Sequence, residues 1–238
     1  MKGVHNMNGY SIRSGLNILL FTIAAYIVYG CTLADVYNMQ DMEGTVVDKA
    51  TGEPLEGVMV IEVWEAGGGF EGHTVDYLPL RETETGSDGR YEFSARGTQH
   101  VDEGFLTADS PRLIYFKPGY IFTSESNRYH PDRRFEFNRR SDWHQKTIEL
   151  ESFEGTPEEH AKDLERFDAV LSNLAGAGRQ CLWMGIPRTL AMVRKEDIRQ
   201  TQLGADPKVG ISAPWRLDEL RKCSSFSGFF EVYSDEMD

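Results

Sequence analysis

Cysteine is scarce in this chain: Cys31, Cys181 and Cys223 are the only three in 238 residues. No two of them stand in Cys-x-x-Cys spacing, so neither a zinc ribbon nor a thioredoxin-type redox pair is written here. A Gly-x-Ser-x-Gly elbow is also missing, which removes the strand-turn-helix context that activates a serine nucleophile. Gly67-Gly68-Gly69 lacks the following helix and Lys of a phosphate cradle, and reads as a flexible turn. Basic residues are outnumbered 25 to 38, for a net charge of −13. The first thirty residues carry Lys2 and Arg13 and no acid, so the remainder holds −15. A chain this acidic repels nucleic acid and anionic headgroups, and nucleic acid is not an expected partner. Internal repeats and low-complexity runs are absent, and hydrophobic residues at 40% with charged residues at 26% describe an ordinary globular chain.

Long apolar runs are lacking too. Leu16 to Tyr29 spans 14 residues, where a membrane-crossing helix wants ~20. Behind Lys2 and Arg13 it has the length of a signal-peptide core, so residues 1–30 are expected to direct export. Val28-Tyr29-Gly30-Cys31 resembles the bacterial lipobox, which implies lipidation of Cys31 and an envelope protein facing the periplasm. Ordinary cleavage after Thr32-Leu33-Ala34 and an uncleaved anchor are the alternatives. Residues 31–41 then read as a polar tether.

What the chain does have is β-signal. Gly44 to Asp48 is β-rich and reaches a turn at Thr51-Gly52, and a second run follows from Val58 to Trp64. That second run is apolar on both faces except at Glu62, which predicts a strand covered on both sides. Asp88-Gly89 predicts a two-residue hairpin turn with positive φ at both positions, after which Tyr91 and Phe93 share a face. Leu113 to Phe116 is an apolar strand closed by Lys117-Pro118-Gly119-Tyr120, and Lys146 to Leu150 reads as the closing strand. Glu65 to Glu84 is expected as a loop or hairpin, Ser94 to Ser110 as an exposed connection, and Ile121 to Gln145 as a long insertion.

The order Gly-x-Val-x-Asp, Thr-Gly-x-Pro-Leu-x-Gly-Val-x-Val, Ser-Asp-Gly-x-Tyr-x-Phe and Lys-Pro-Gly-Tyr resembles the carboxypeptidase regulatory-like domain. The resemblance covers residues 42–151. It implies a transthyretin-like, immunoglobulin-like β-sandwich, and its motifs are turn and core residues that say little about function.

From Ser152 the period changes. Thr156-Pro157-Glu158-Glu159 is a helix start with a capping box, and Ala161, Leu164, Phe167, Leu171 and Leu174 recur on one face. Gly176 and Gly178 end that helix. A second is predicted from Pro187 through Leu190, Val193 and Ile198 toward Gly204, and a third short one from Pro214 to Lys222. Phe226, Phe229, Phe230 and Tyr233 are too apolar for a free tail. The fold expected is therefore mainly β, a sandwich followed by a helical segment over 152–238 packed on it. In an oxidising compartment Cys181 and Cys223 would pair, closing a loop of ~42 residues worth about 4 kcal/mol by chain-entropy arithmetic. Free buried thiols are the other reading.

Chemistry-bearing constellations are thin. His100-Val101-Asp102-Glu103 has a His-x-x-Glu form, but a catalytic zinc needs a third ligand, which His130 or His144 would supply only through the fold. Asp76, Asp88, Asp102 and Asp109 lack the alternating spacing of a calcium loop. No metal, cofactor or catalytic residue is expected, and the chain is expected not to be an enzyme. One stretch reverses the overall charge: Arg128, Arg133, Arg134, Arg139 and Arg140 alternate with Tyr129, Phe135, Phe137 and Trp143. Arg and aromatics are favoured at contact hot spots, so this insertion is the expected surface for an envelope protein or a glycan. The bland reading is a solvated hairpin whose arginines pair with nearby acids. Two other functions stay open, a soluble carrier of a glycan or small ligand and an unrecognised hydrolase.

Overall fold

The computed structural model describes residues 36–68, 74–101, 104–176 and 182–207. The expected signal peptide, Cys31, Cys181, Cys223, the third helix and the aromatic end lie outside the described residues. The strands in chain order are β1 Val36–Met39, β2 Met42–Asp48, β3 Met59–Val63, β4 Glu65–Gly67, β5 Thr74–Tyr77 and β6 Arg81–Glu84. They continue with β7 Arg90–Phe93, β8 Gly97–His100, β9 Phe105–Leu106, β10 Arg112–Phe116, β11 Thr123–Ser126, β12 Asn138–Arg139 and β13 Lys146–Leu150. Helices α1, Pro157–Gly176, and α2, Pro187–Gln202, follow. Among the described residues no helix is long and apolar enough to cross a membrane.

The fold is mainly β with two helices toward the C-terminus. One sheet runs β11-β10-β3-β6 and another β13-β2-β7, with smaller sheets β12-β1-β8 and β5-β4-β9 beside them. β3 and β10 lie at the centre, and their alternation separates two apolar clusters. Val58, Val60 and Trp64, with Leu113 and Tyr115, face Met42, Val46, Ile148 and Leu150 across the sandwich. Ile61, Val63, Ile114 and Phe116 point the other way, into Leu164, Phe167, Leu171, Leu174, Leu190 and Val193 of the helices. β3 is thus covered on both sides, and every one of its residues is buried. Phe167 stacks between Phe116 and Phe122, with centroids 4.8 Å from each. Burying a Leu or Phe is worth about 1.5–3 kcal/mol, so this second cluster docks the helices on the sheet.

Glu62 is the exception within β3, and the structure accounts for it. Its carboxylate accepts from Arg81 Nε at 2.5 Å and Nη2 at 2.8 Å, and from Arg96 Nε at 2.8 Å. Burial alone would raise its pKa, but the Arg81 hydrogen bond and the charges of Arg96 and Arg81 hold it below the usual range. A buried charge is tolerable only when paired in this way.

The turns follow the sequence with one difference. Gly52 and Gly119 have positive φ, as the Thr51-Gly52 and Pro118-Gly119 turns require. At Asp88-Gly89 only Gly89 does, with φ +71°, and its N–H donates to Gly86 O at 2.8 Å. This turn is no hairpin: β6 pairs with β3 and β7 with β2, so it carries the chain from one sheet to the other. A Cβ at Gly89 would meet Val46 O at 2.5 Å, which explains glycine there without a hairpin.

Four expected connections are structured, one of them the expected insertion at 121–145, where β11 joins β10 and β12 joins β1. Residues 36–39 of the expected tether form β1, because Tyr37 and Met39 alternate inward and are buried. β4 and β5 make the expected hairpin inside 65–84, but Arg81–Glu84 joins the main sheet as β6. Within 94–110, β8 pairs with β1, and Val101, Leu106 and Ala108 are buried.

The helix signals read as written. Thr156 N–H donates to Glu159 Oε2 at 2.8 Å, and Glu159 N–H donates to Thr156 Oγ1 at 3.3 Å. α2 has no side-chain cap of its own at Ile186. Glu82 of β6 supplies one, accepting from Arg188 N–H and Thr189 N–H at 2.8 Å each and from Thr189 Oγ1–H at 2.7 Å. Ile198, expected on the buried face, is 42% exposed, while Glu196, Asp197 and Gln200 are buried.

Candidate functional site

After the Pro118-Gly119 turn the chain first pairs with β10 as β11, then runs through 127–137, pairs with β1 as β12 and returns into β13. Asn127 fixes the ends of this stretch. It is buried, its Nδ2 donates to Ser110 O at 2.9 Å and Arg140 O at 3.1 Å, and its Oδ1 accepts from Asp142 N–H at 2.7 Å. Asp142 then gathers the cationic side. Its carboxylate accepts from Arg133 Nη2 at 2.6 Å and from Arg128 N–H at 2.9 Å. Burial would raise its pKa, yet the Arg133 and Arg128 hydrogen bonds hold it below the usual carboxylate range. Asp142 is therefore an anion that organises cations.

The five arginines divide by what holds them. Arg139 is 1% exposed. Its Nη1 donates to Arg133 O at 2.7 Å, and its Nη2 to Thr107 O at 2.7 Å and Ser110 O at 2.8 Å. The expectation that Arg139 belongs to the contact surface is corrected: three carbonyls and burial make it a brace under the insertion. Arg140 turns away to Asp41, at 2.8 Å. Arg134 lies over the Phe105 ring, 5.0 Å from its centroid, and its Nη2 donates to Tyr129 Oη at 3.2 Å. Arg133 is held by Asp142, which raises its pKa above the ordinary value. Arg128 is exposed and takes part in no ion pair among the described residues.

An open cleft of about 770 Å³ lies along this insertion. Arg128, Arg133, Tyr129, His130, Trp143 and Lys146 line it, with Asp142 and the hydroxyl residues Ser126 and Thr147. Trp143 is fixed by its indole N–H, which donates to Ser126 O at 2.9 Å. Of the residues expected from sequence, Arg128, Arg133 and Trp143 meet here. Phe135 and Phe137 do not line the cleft but are exposed at 75% and 49%, beside Tyr129 at 63%. Sequence reasoning weighed His130 only as a zinc ligand and passed over Lys146, Ser126 and Thr147 as site residues. Lys146 and Thr147 open the closing strand with two exposed positions, a signal that a strand reading absorbs into the sheet.

The histidines tried as zinc ligands stand apart in role. His130 lies 3.7 Å from Asp132, and His144 Nδ1 accepts from Glu43 N–H at 3.4 Å. His100 is exposed on β8, and Asp102 and Glu103 fall outside the described residues.

The chain matches no family model and no curated protein. Solved structures similar to part of it include a 3-chlorocatechol 1,2-dioxygenase from Rhodococcus opacus, at 16% identity and a TM-score of 0.32, covering 49% of this chain and 61% of that one. A streptococcal ancillary pilin is similar at 14% identity and a TM-score of 0.28, over 50% of this chain and 31% of that one. The C-terminal domain of a shaft pilin from Lactobacillus rhamnosus shows 12% identity and a TM-score of 0.23, covering 50% of this chain and 98% of that domain. The expectation that the chain is not an enzyme is corrected by these matches. Catechol 1,2-dioxygenases stand among them, at 16% and 18% identity over 49% and 51% of this chain.

Proposed function

We propose that this chain is an exported binding protein of the bacterial cell envelope, held to the membrane by lipid at Cys31, which engages an anionic partner through residues 121–145. Residues 42–151 serve it as a carboxypeptidase regulatory-like domain, and the insertion is the part of that domain given over to contact. The observation that carries this reading is a cleft with three cationic side chains to one carboxylate, together with exposed rings. Arg128 and Lys146 form no ion pair among the described residues, in a chain of net charge −13; Tyr129 lines the same cleft, and Phe135 and Phe137 are exposed in the same stretch of chain. Exposed aromatic side chains gathered in one place mark contact sites. Loops on a rigid sheet are where such contacts are commonly built.

The test is cross-linking in cells from a photoreactive residue at position 129, with the same residue at the exposed Glu165 of α1 as control. Capture is expected at 129 and not at 165, in the membrane fraction, and Arg128→Glu with Lys146→Glu should abolish most of it. Equal capture at both positions, or capture indifferent to the charge reversal, would place the contact elsewhere. Cys31→Ser should release or leave unprocessed the membrane-bound protein, and unchanged processing and fractionation would remove the lipid anchor. The cleft favours a second reading, a carrier that holds a small ligand or glycan rather than a flat protein face.

A further inference from the structure

We infer that the cleft along the insertion is a saccharide site, and that the sugar it takes carries a carboxylate, as a uronic acid does. The inference rests on the reading of residues 121–145 as a contact surface and adds the class of ligand. Three features of the lining point the same way.

The first is charge. Arg128 and Lys146 line the cleft without an ion pair among the described residues, while Arg133 is neutralised by Asp142 at 2.6 Å. The cleft therefore carries about two positive charges more than it neutralises. A carboxylate or phosphate fits that excess, since hydrogen bonds to an ionised acceptor are the stronger kind.

The second is the state of the two rings. Trp143 spends its only polar atom on Ser126 O at 2.9 Å, and the Tyr129 hydroxyl receives Arg134 Nη2 at 3.2 Å. The indole has no polar atom left and the Tyr129 hydroxyl keeps only its own O–H to donate, so both rings offer the ligand mostly carbon surface. A free phosphate has nothing to lay against carbon. The C–H face of a pyranose does.

The third is the rim. Ser126 and Thr147 are exposed beside the rings, and a hydroxyl both donates and accepts. Sugar hydroxyls need partners of both kinds. An acidic peptide would match the charge, but protein hot spots are desolvated pockets sealed by a surrounding ring of contacts. This cleft is open, and its lining mixes hydroxyls, cations and rings. A ligand with an anionic group, an apolar face and several hydroxyls answers all three features, and an acidic saccharide is that ligand.

The full exported chain should be titrated by calorimetry with a tetramer of galacturonic acid, with the neutral galactose tetramer, and with tetraglutamate. The uronate is expected to bind at least about tenfold tighter than either of the others, one decade being about 1.4 kcal/mol. Its affinity should fall as salt rises from ~0.1 M to ~1 M, over which the Debye length shrinks from ~10 Å to ~3 Å. Arg128→Ala with Lys146→Ala should remove about that tenfold preference, and Tyr129→Ala should weaken uronate binding at both salt concentrations. All three positions are exposed, so unchanged melting is expected and serves as the folding control. Equal binding of the neutral tetramer would overturn the carboxylate. Tighter binding of tetraglutamate would make the cleft a surface for acidic protein segments and overturn the saccharide. Failure of all three titrants would do the same. If capture from position 129 persists in cells while the uronate fails, the contact surface stands and the saccharide assignment falls. If both fail, the functional reading falls with it.

Discussion

His160 is the one histidine of the helical layer, and burial there disfavours its charged form. Its ring stacks on Phe153 with centroids 4.4 Å apart, Nδ1 lies 3.5 Å from Glu196 Oε1, and Nε2 is enclosed without a hydrogen-bond partner. Burial lowers its pKa, against the pull of Glu196 and Asp163 and with the help of Arg199. The sign of the linkage follows from that direction. The unfolded chain takes up a proton near the ordinary His value of ~6.5, and the folded chain only at lower pH. Stability is therefore full above ~6.5 and is lost as pH falls from there toward the lower folded value, by at most about 1.4 kcal/mol per pH unit. We expect denaturation midpoints to drop between pH 7.5 and 5.5 in the native chain and to drop less in His160→Gln. Equal slopes in the two proteins would show that His160 is not the group responsible. Arg139 makes the complementary point. A buried cation whose donors meet three carbonyls is a structural residue, whatever its neighbours in sequence suggest.

The two helices are capped by different means, and this separates what the sequence shows from what it hides. Thr156 and Glu159 are three residues apart, so their capping box is visible in the chain and is formed in the structure. The cap of α2 comes from Glu82, more than a hundred residues earlier, and no local pattern announces it. The same divide runs through the sheets. Turns at Gly52 and Gly119 and the closing strand Lys146–Leu150 stand where local residues place them. β1 and β8 were missed because each is short and polar on one face, and their partners, each other and β12, are distant in sequence. Thr156→Ala should cost about 1 kcal/mol, the usual loss of a threonine cap. Glu82→Ala should cost more, about 2–3 kcal/mol, because it strands three donors in a partly buried seam. Urea midpoints of the two variants check the order, and a larger loss for Thr156→Ala would show that α2 does not depend on the Glu82 contact.

Over the whole molecule, the charge reversal in residues 128–143 was legible, but the fate of each arginine was not. Which arginine is a brace depends on carbonyls at Thr107 and Ser110, and the cleft is completed by Ser126 at the end of β11 and Lys146 at the start of β13. The same limit applies to the C-terminal cysteines. Cys181 directly precedes Leu182 and Trp183, both buried in the helix-side cluster. Pairing with Cys223 would fasten residues after α2 to the sandwich and close a loop of ~42 residues. Chain entropy gives such a loop about 4 kcal/mol, and loss of a native bridge typically costs 2–5 kcal/mol. Export is what makes the pairing expected, since a reducing cytoplasm would keep both thiols free. Protein recovered from the envelope should therefore show no reactive thiol until reduced, and Cys181→Ser and Cys223→Ser should lower stability by similar amounts. Similar losses matter, because two independent buried thiols would give unrelated ones. A thiol reagent that labels Cys181 or Cys223 in the unreduced, unfolded protein would remove the bridge, and with it the cysteine argument for an oxidising compartment.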